Sequence, residues 1–148
     1  MLPSNDTLTQ TAQIIAAETN HVRQPEFALM GFCNRYLKWL YQTYGVKDND
    51  SLAQSLTRAL QVSGFEILPS PTLTYRKGRD IYTLMPDIAV RTGNLETLIF
   101  VRKGPISQSQ KNDLRLALAN NGPASRQVLA FYVDEQGIGL ILIGPFTR

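Results

Sequence analysis

The stretch from Tyr75 to Lys103 constrains the fold more than any other part of the chain. Its apolar runs and turn residues predict two long strands joined by a tight turn. The first of these strands carries one carboxylate, Asp87, directly after Pro86, and the second ends in Arg102 and Lys103. The segments before this hairpin have the pattern of helices that lie against it. Those after it have the pattern of a helix and strands that complete the same sheet.

An antiparallel meander of three strands is predicted between about residues 65 and 103. Pro86 lies inside the second strand, and because proline cannot donate to a ladder, it implies a bulge or an unpaired edge there. The third strand contains four consecutive apolar residues, 98–101, which favours an interior position. The predicted strands cover residues 65–68 with 72–76, then 81–91, then 95–103.

Helices are predicted on both sides of the meander. The first is short, and the second is long and amphipathic, with a stripe at Phe27, Met30, Cys33, Leu37, Leu40, Tyr41 and Tyr44. Since an apolar strand, a helix and another apolar strand usually pair in parallel, strand 128–133 is expected in the same sheet as the third strand. The predicted helices are 7–19, 26–44, one that has its N-cap candidates at 48–51 (Asp48 to Ser51) and ends at Gly64, and one that Ser107 can cap and that runs to about Asn120. The last two predicted strands are 128–133 and 138–143.

The length and composition fit one mixed α+β domain. A chain of 148 residues with 43% hydrophobic content supplies one core, so we expect a single domain over 25–148 after an N-terminal extension, 1–24, with a short helix. The single cysteine, Cys33, excludes an internal disulfide framework. With neither a signal-peptide pattern nor a run of membrane-span length, the chain is expected to be cytoplasmic. Its net charge of +3 permits a nucleic-acid partner without requiring one.

Several short segments resemble the PD-(D/E)xK nuclease-like superfamily, and within it the GxxExxY family. The Pro86-Asp87 pair and the Tyr75-x-Lys77-Gly78 turn are the most distinctive of them. The resemblance implies a restriction-endonuclease-like core: helices, an antiparallel meander, a crossover helix and two further strands in a mixed sheet. The segments that carry it are 59–64 (ALQVSG), 74–78 (TYRKG), 86–90 (PDIAV), 98–102 (LIFVR) and 139–143 (GLILI).

The chain departs from the superfamily at the residues that carry its chemistry. The resemblance implies a divalent metal held by two acids, with a lysine that helps to activate water. Here the second acid's position falls on Phe100 and the lysine's on Arg102. The helix glutamate and tyrosine of the GxxExxY pattern fall on Asn49 and Leu52. Phenylalanine offers no ligand to Mg²⁺, and arginine stays protonated, so the resemblance implies a scaffold without catalysis.

Asp87 and Arg102 are nevertheless the candidate residues at the degenerate catalytic positions. Strand alternation allows Asp87 and Arg102 to meet as a salt bridge where a metal would otherwise sit. The alternative to a site role for Asp87 is a simple ion pair with Arg91 or Arg102. Glu96 lies roughly 13 Å along the strand from Phe100 at about 3.3 Å per residue, too far to share one metal, and is expected to be an exposed strand-end residue. No cofactor is therefore expected. Mg²⁺ would be needed only if an acid has migrated, with Asp48, Asp50 or Glu96 the acids to consider.

Two surfaces are candidates for binding a partner. Arg76, Lys77, Arg79 and Lys103 are predicted to contact nucleic-acid phosphates, weakly and in a salt-dependent way, although charges at turns and strand ends are often only solvated. On the long helix, core packing is the first explanation for Tyr36 and Trp39, and the competing one is an exposed apolar surface that makes them candidates for an interface with a protein partner or a second copy.

The sequence supports three functions. The first is a catalytically degenerate nuclease-fold protein that acts as a binding or assembly module for nucleic acid or a protein partner. The alternatives are a metal-dependent nuclease with a migrated acid, and a structural subunit of a larger complex. A single histidine, His21, and the absence of a nucleophile-elbow serine or a phosphate-binding glycine loop give no support to other chemistries.

Overall fold

The computed structural model describes residues 2–19, 25–120 and 125–144. Within these ranges the chain has an α+β fold with four helices and seven strands. The helices are α1 (Asn5–Thr19), α2 (Pro25–Tyr44), α3 (Asn49–Val62) and α4 (Gln108–Asn120). The strands are β1 (Glu66–Leu68), β2 (Leu73–Lys77), β3 (Asp80–Leu84), β4 (Ile88–Thr92), β5 (Leu95–Lys103), β6 (Arg126–Asp134) and β7 (Gly137–Ile143).

Five strands form one mixed sheet in the order β1-β4-β5-β6-β7. β1, β4 and β5 are antiparallel neighbours, β5 and β6 are parallel, and β6 and β7 are antiparallel. The meander, the parallel pairing after α4 and the mixed sheet were all predicted from the sequence and are confirmed. β5 is the central strand, which explains why its apolar run is buried on both faces.

The predicted strand 81–91 is wrong in one respect, because it is two strands rather than one. It breaks over residues 85–87, and β3 pairs with β2 as a separate two-stranded sheet while β4 stays in the main sheet. Pro86, a buried residue without a backbone N–H, lies in the break and cannot contribute to a ladder. The prolines at 69 and 71 interrupt the preceding strand in the same way, so the chain leaves the sheet as the β2–β3 hairpin.

The main sheet is the middle of three layers. Helices α1, α2 and α3 cover one face, where they pack on residues such as Ile99, Val101 and Phe131. Helix α4 and the β2–β3 hairpin cover the other face, which includes Ala89, Leu98 and Phe100. Successive residues of β5 therefore contribute to opposite cores, as the alternation of a strand requires.

The buried face of α2 includes Cys33, Leu37 and Leu40 of the predicted stripe but is wider than the stripe and leaves out its first residue. Leu29, Phe32 and Tyr36 are fully buried, whereas Phe27 is 45% exposed. Helix α1 contributes Leu8, Ala12 and Ile15 to the same core. The predicted boundary between an extension and the domain falls at residues 20–24, which lie outside the described residues, so the division remains a prediction.

Helix ends follow the predicted caps. Asp48 caps α3 by accepting hydrogen bonds from the Ser51 N–H at 2.9 Å and from the Ser51 hydroxyl at 2.7 Å. Ser107 and Gln110 exchange hydrogen bonds at the start of α4, a capping box. No helix among the described residues is both long enough and apolar enough to cross a membrane.

The two edges of the main sheet differ in length and character. β1 has three residues, begins with the exposed Glu66 and is followed by Pro69. β7 has seven residues without a charge or a proline. Beside it, the ring of Tyr132 lies against Gly139, its cross-strand partner, so closely that a Cβ at position 139 would fall 2.0 Å from the ring carbon Cζ.

Candidate functional site

The candidate site is built where β4 begins, at the end of the break that Pro86 creates. The backbone N–H of Asp87 donates to the carbonyl of Ile99 at 2.9 Å, which fixes the residue beside the middle of β5. Its carboxylate oxygen Oδ2 accepts a hydrogen bond from the backbone N–H of Val101 at 2.7 Å. Val101 is 1% exposed, so water does not offer this amide an alternative partner. Asp87 thus satisfies an amide of β5 next to the break in the neighbouring strand.

The same carboxylate oxygen is paired with Arg102. The Arg102 nitrogen Nη1 lies 2.7 Å from Oδ2 of Asp87 and also donates to the carbonyl of Val101 at 3.0 Å. The ion pair that strand alternation allowed is therefore present. The Arg102 guanidinium also lies over the ring of Phe100, 5.1 Å from its centroid, a cation–π contact. Phe100 is 3% exposed and belongs to the core under α4.

A small cavity of about 110 Å³ opens beside this cluster. Phe100, Arg102, Gln110 and Asp113 contribute to its lining, and the remaining walls are the apolar residues Leu84, Ile106, Leu114 and Ala130. The cavity is far smaller than the roughly 300–1,000 Å³ of sites that enclose drug-sized ligands. It has room for a few waters or a small polar group.

Asp113 of α4 connects the cavity to the β2–β3 hairpin. Its carboxylate lies 3.2 Å from the Lys77 ammonium group of the hairpin. Burial, followed by the negative charge of Asp113, raises the pKa of the Tyr75 hydroxyl. Tyr75 also stacks on Tyr82, with ring centroids 5.6 Å apart. These contacts hold the hairpin against α4.

Glu96 was predicted to be an exposed strand-end residue, and this is wrong. Its carboxylate accepts from Arg126 at 2.9 Å and lies 3.3 Å from Arg91, and its side chain is only 20% exposed. The hydrogen bond from Arg126 is the main cause that holds the pKa of Glu96 below its ordinary value, against the opposing effect of burial. The parallel register of β5 and β6 puts Glu96 opposite Arg126, and the sequence alone did not reveal that register.

The four cations predicted to bind phosphates do not lie on one surface. Lys77 is paired with Asp113, and Lys103 stands on the opposite face of β5 from Arg102, toward α3. There its charge adds a small contribution to the lowered pKa of Asp48, which is due chiefly to the hydrogen bond from the Ser51 hydroxyl. Arg76 and Arg79 are exposed on the hairpin.

The candidate interface at Tyr36 and Trp39 needs a correction. Tyr36 is 1% exposed, and its hydroxyl forms a buried hydrogen bond of 2.8 Å with the hydroxyl of Ser55. Its phenol ring stacks with Phe32, so it is a core residue with a satisfied polar end and is not available to a partner. Trp39 is half-buried and packs edge-on against Tyr44.

The donor set at the site does not suit a metal. Across the described ranges, no group of three or more histidine, cysteine, aspartate or glutamate side chains lies close enough together to hold an ion. At the site itself, Asp87 is the one carboxylate on this part of the sheet face, and its Oδ2 already accepts from Val101 and Arg102. Mg²⁺ requires several hard oxygen ligands in near-octahedral geometry, which these residues do not provide.

No family model matches the chain, and no curated protein matches it. Among solved structures, one described as "Crystal structure of SSO0001" aligns with 97% of this chain and 78% of that chain. The identity is 14% and the TM-score is 0.43. A likeness at this TM-score carries no argument about fold or function.

Proposed function

We propose that this protein is a catalytically degenerate relative of PD-(D/E)xK nucleases that acts as a binding module for a protein partner. The observation that carries the proposal is the pair of hydrogen bonds that the Asp87 carboxylate accepts from protein groups. The two donors are the Val101 amide and Arg102, each at 2.7 Å. An acid in this position of a nuclease would face a metal, whereas here it completes a strand ladder and neutralises an arginine.

The residues around Asp87 support the loss of hydrolysis. Phe100 replaces a ligand with an apolar ring that packs in the core, and Arg102 cannot take a proton from water at any relevant pH. Glu96, which the sequence offered as a substitute acid, is engaged with Arg91 and Arg126. Asp48 is the cap of α3. Each of these carboxylates has a structural task in place of a catalytic one.

The β2–β3 hairpin is the surface that we assign to the partner. Its inner face is anchored by the buried Leu73 and Tyr75, and Tyr82, the cross-strand partner that stacks on Tyr75, shares that face and is 43% exposed. Ile81 lies on the outer face of the hairpin and is 61% exposed. Met85, directly after the hairpin, is 58% exposed. Exposed aromatic and aliphatic side chains close to arginine are typical of the residues that dominate protein interfaces. Arg76 stands opposite Ile81 in the hairpin register, which favours a partner that combines apolar and acidic residues.

A protein partner fits this surface better than nucleic acid does. Binding driven by phosphates needs several cations on one surface. Here Lys77, Arg91 and Arg102 each have a carboxylate partner, and Lys103 points away to the side of α3. Nucleic acid binding, if any, is therefore expected to be weak and to disappear as salt is raised.

The loss of catalysis is tested by incubating the purified protein with DNA and RNA in the presence of Mg²⁺ or Mn²⁺. We expect both substrates to remain intact. Titration of labelled duplex and single strands at low and high salt tests the nucleic-acid alternative in the same preparation. Metal-dependent cleavage that disappears in Asp87→Ala would contradict the proposal and support a nuclease with a migrated acid. Tight binding that persists at high salt would make nucleic acid the partner.

The protein-binding surface is tested with a displayed library of short peptides. We expect the wild-type protein to select peptides that combine acidic and apolar residues, and these peptides to bind Ile81→Glu at least tenfold more weakly. Leu116→Glu is the matched control, because Leu116 is 38% exposed on α4, outside the hairpin. Equal binding of the selected peptides to all three proteins would exclude the hairpin as the surface.

A further inference from the structure

Among the described residues, no strand pairs with the outer edge of β7. It is the last strand in the order β1-β4-β5-β6-β7, and it pairs with β6 along its whole length. In an antiparallel pair, alternate residues of an edge strand direct their N–H and C=O groups away from the sheet. Seven residues extend about 20 Å, so the edge presents a long row of such groups.

Sheet edges normally carry features that prevent pairing with another chain, such as a charge, a proline, a bulge or short length. β1 at the opposite edge has these features, because it has only three residues, begins with Glu66 and precedes Pro69. β7 has none of them: its sequence is GIGLILI, and all seven residues are in register with β6. The β1 edge is therefore protected against pairing with another chain, and the β7 edge is not.

We propose that β7 is the dimer interface, and that its occupant is β7 of a second copy of this chain. Two copies would pair antiparallel about a two-fold axis, which joins two five-stranded sheets into one continuous sheet. On the order of six backbone hydrogen bonds would form, as expected for an antiparallel pair of this length. The proposal does not depend on the proposed function, because the β2–β3 hairpin lies in a different sheet from β7.

The chemistry of β7 favours its own copy over another ligand. The strand carries no charge, so no antiparallel register brings like charges together. The side chains of Ile138, Leu140 and Leu142 share the face that α2 partly covers, and Leu142 is 43% exposed there. Pairing centred on Leu140 would put Leu142 opposite Ile138 of the partner subunit. An apolar contact would then accompany the backbone hydrogen bonds.

Sedimentation equilibrium of the full chain at increasing concentration tests the proposal. We expect a particle of twice the 16.6 kDa of one chain at micromolar concentration. Leu142→Lys adds a charge to the edge strand, and the dissociation constant of its dimer should be at least tenfold higher than that of the wild type. The matched control is Leu116→Lys, which replaces a leucine of similar exposure on α4 and should dimerise as the wild type does.

Hydrogen exchange of the wild-type protein provides a second measurement that does not depend on any variant. The outward amides of β7 should become protected as the protein concentration is raised through the dimerisation range, while the amides of β1 should not change. A wild-type protein that stays monomeric at every concentration would overturn the proposal. So would a dimer whose β7 amides exchange at the monomer's rate, since its interface would then lie elsewhere.

Discussion

Replacing Asp87 separates its structural task from any catalytic one. In Asp87→Ala the Val101 amide loses its acceptor, and because Val101 is buried this costs about 1–3 kcal/mol. The lost ion pair with Arg102 adds less than about 1 kcal/mol, because the arginine side chain is 42% exposed. The free energy of unfolding should therefore fall by about 1–4 kcal/mol.

Asp87→Asn should cost much less, because the amide oxygen can still accept from the Val101 N–H. The variant still loses the negative charge of the acceptor and the ion pair with Arg102, which together lower the free energy of unfolding by about 1 kcal/mol. Glu18→Gln is the control for an ion pair alone: Glu18 is paired with Arg35, both side chains are about half exposed, and the change should be below about 1 kcal/mol.

Urea denaturation followed by far-ultraviolet circular dichroism measures all three variants. With a slope of about 2 kcal/mol per molar urea, the midpoint of Asp87→Ala should shift down by about 0.5–2 M, and those of the other two variants by about 0.5 M or less. If Asp87→Ala and Asp87→Asn were equally destabilised, the Val101 hydrogen bond would not be the principal role of the carboxylate. The reasoning would then be refuted.

Three further predictions concern the buried Tyr36–Ser55 pair, the Glu96 carboxylate and the Cys33 thiol. Tyr36→Phe and Ser55→Ala should each lower the free energy of unfolding by about 1–2 kcal/mol, because each change leaves one buried hydroxyl without a partner. The double variant should lower it by less than the sum of the two, which a double-mutant cycle in urea measures. The hydrogen bond from Arg126 lowers the pKa of Glu96 in the folded state, so it stabilises the fold above the ordinary carboxyl pKa of about 4.3. This contribution is lost as the pH falls through the lower folded pKa. Thermal melts across this pH range should show a weaker pH dependence for Glu96→Gln than for the wild type. Burial raises the pKa of the Cys33 thiol far above its ordinary value, so this thiol should react with a disulfide reagent at neutral pH only after denaturant is added.

Much of the fold follows from patterns that are local in sequence. The apolar run of β5, the helix after it and the apolar strand after that were enough to predict parallel pairing of β5 with β6. The alternation of side chains along each strand was enough to show that Asp87 and Arg102 could form the ion pair seen in the fold. Asp48 and Ser107 were recognisable as helix caps because their effect is confined to one turn.

The errors arose where a residue's role is decided by distant parts of the chain. Pro86 was expected to cause a bulge, but the prolines of the preceding strand interrupt the partner as well, so β2 and β3 leave the main sheet together. Tyr36 lies off the predicted buried stripe of its helix and was therefore a candidate for an exposed apolar surface. In the fold its hydroxyl is hydrogen-bonded to that of Ser55, nineteen positions away, which satisfies its polar end in the core. The pairing of Glu96 with Arg126 depends on a register between strands that are separated by α4.

The bond between Asp87 and the Val101 amide has a consequence for how such a sequence evolves. An aspartate that completes a strand ladder is under selection for folding, whether or not any reaction takes place beside it. The Phe100 side chain makes no hydrogen bond to the backbone, and among backbone groups the Arg102 guanidinium donates only to the Val101 carbonyl at 3.0 Å, so neither side chain satisfies a buried amide as Asp87 does. Under the proposed function, a lineage that abandoned hydrolysis would retain the first acid for folding and lose the second acid and the lysine, which is the combination that the resemblance assigns to Asp87, Phe100 and Arg102.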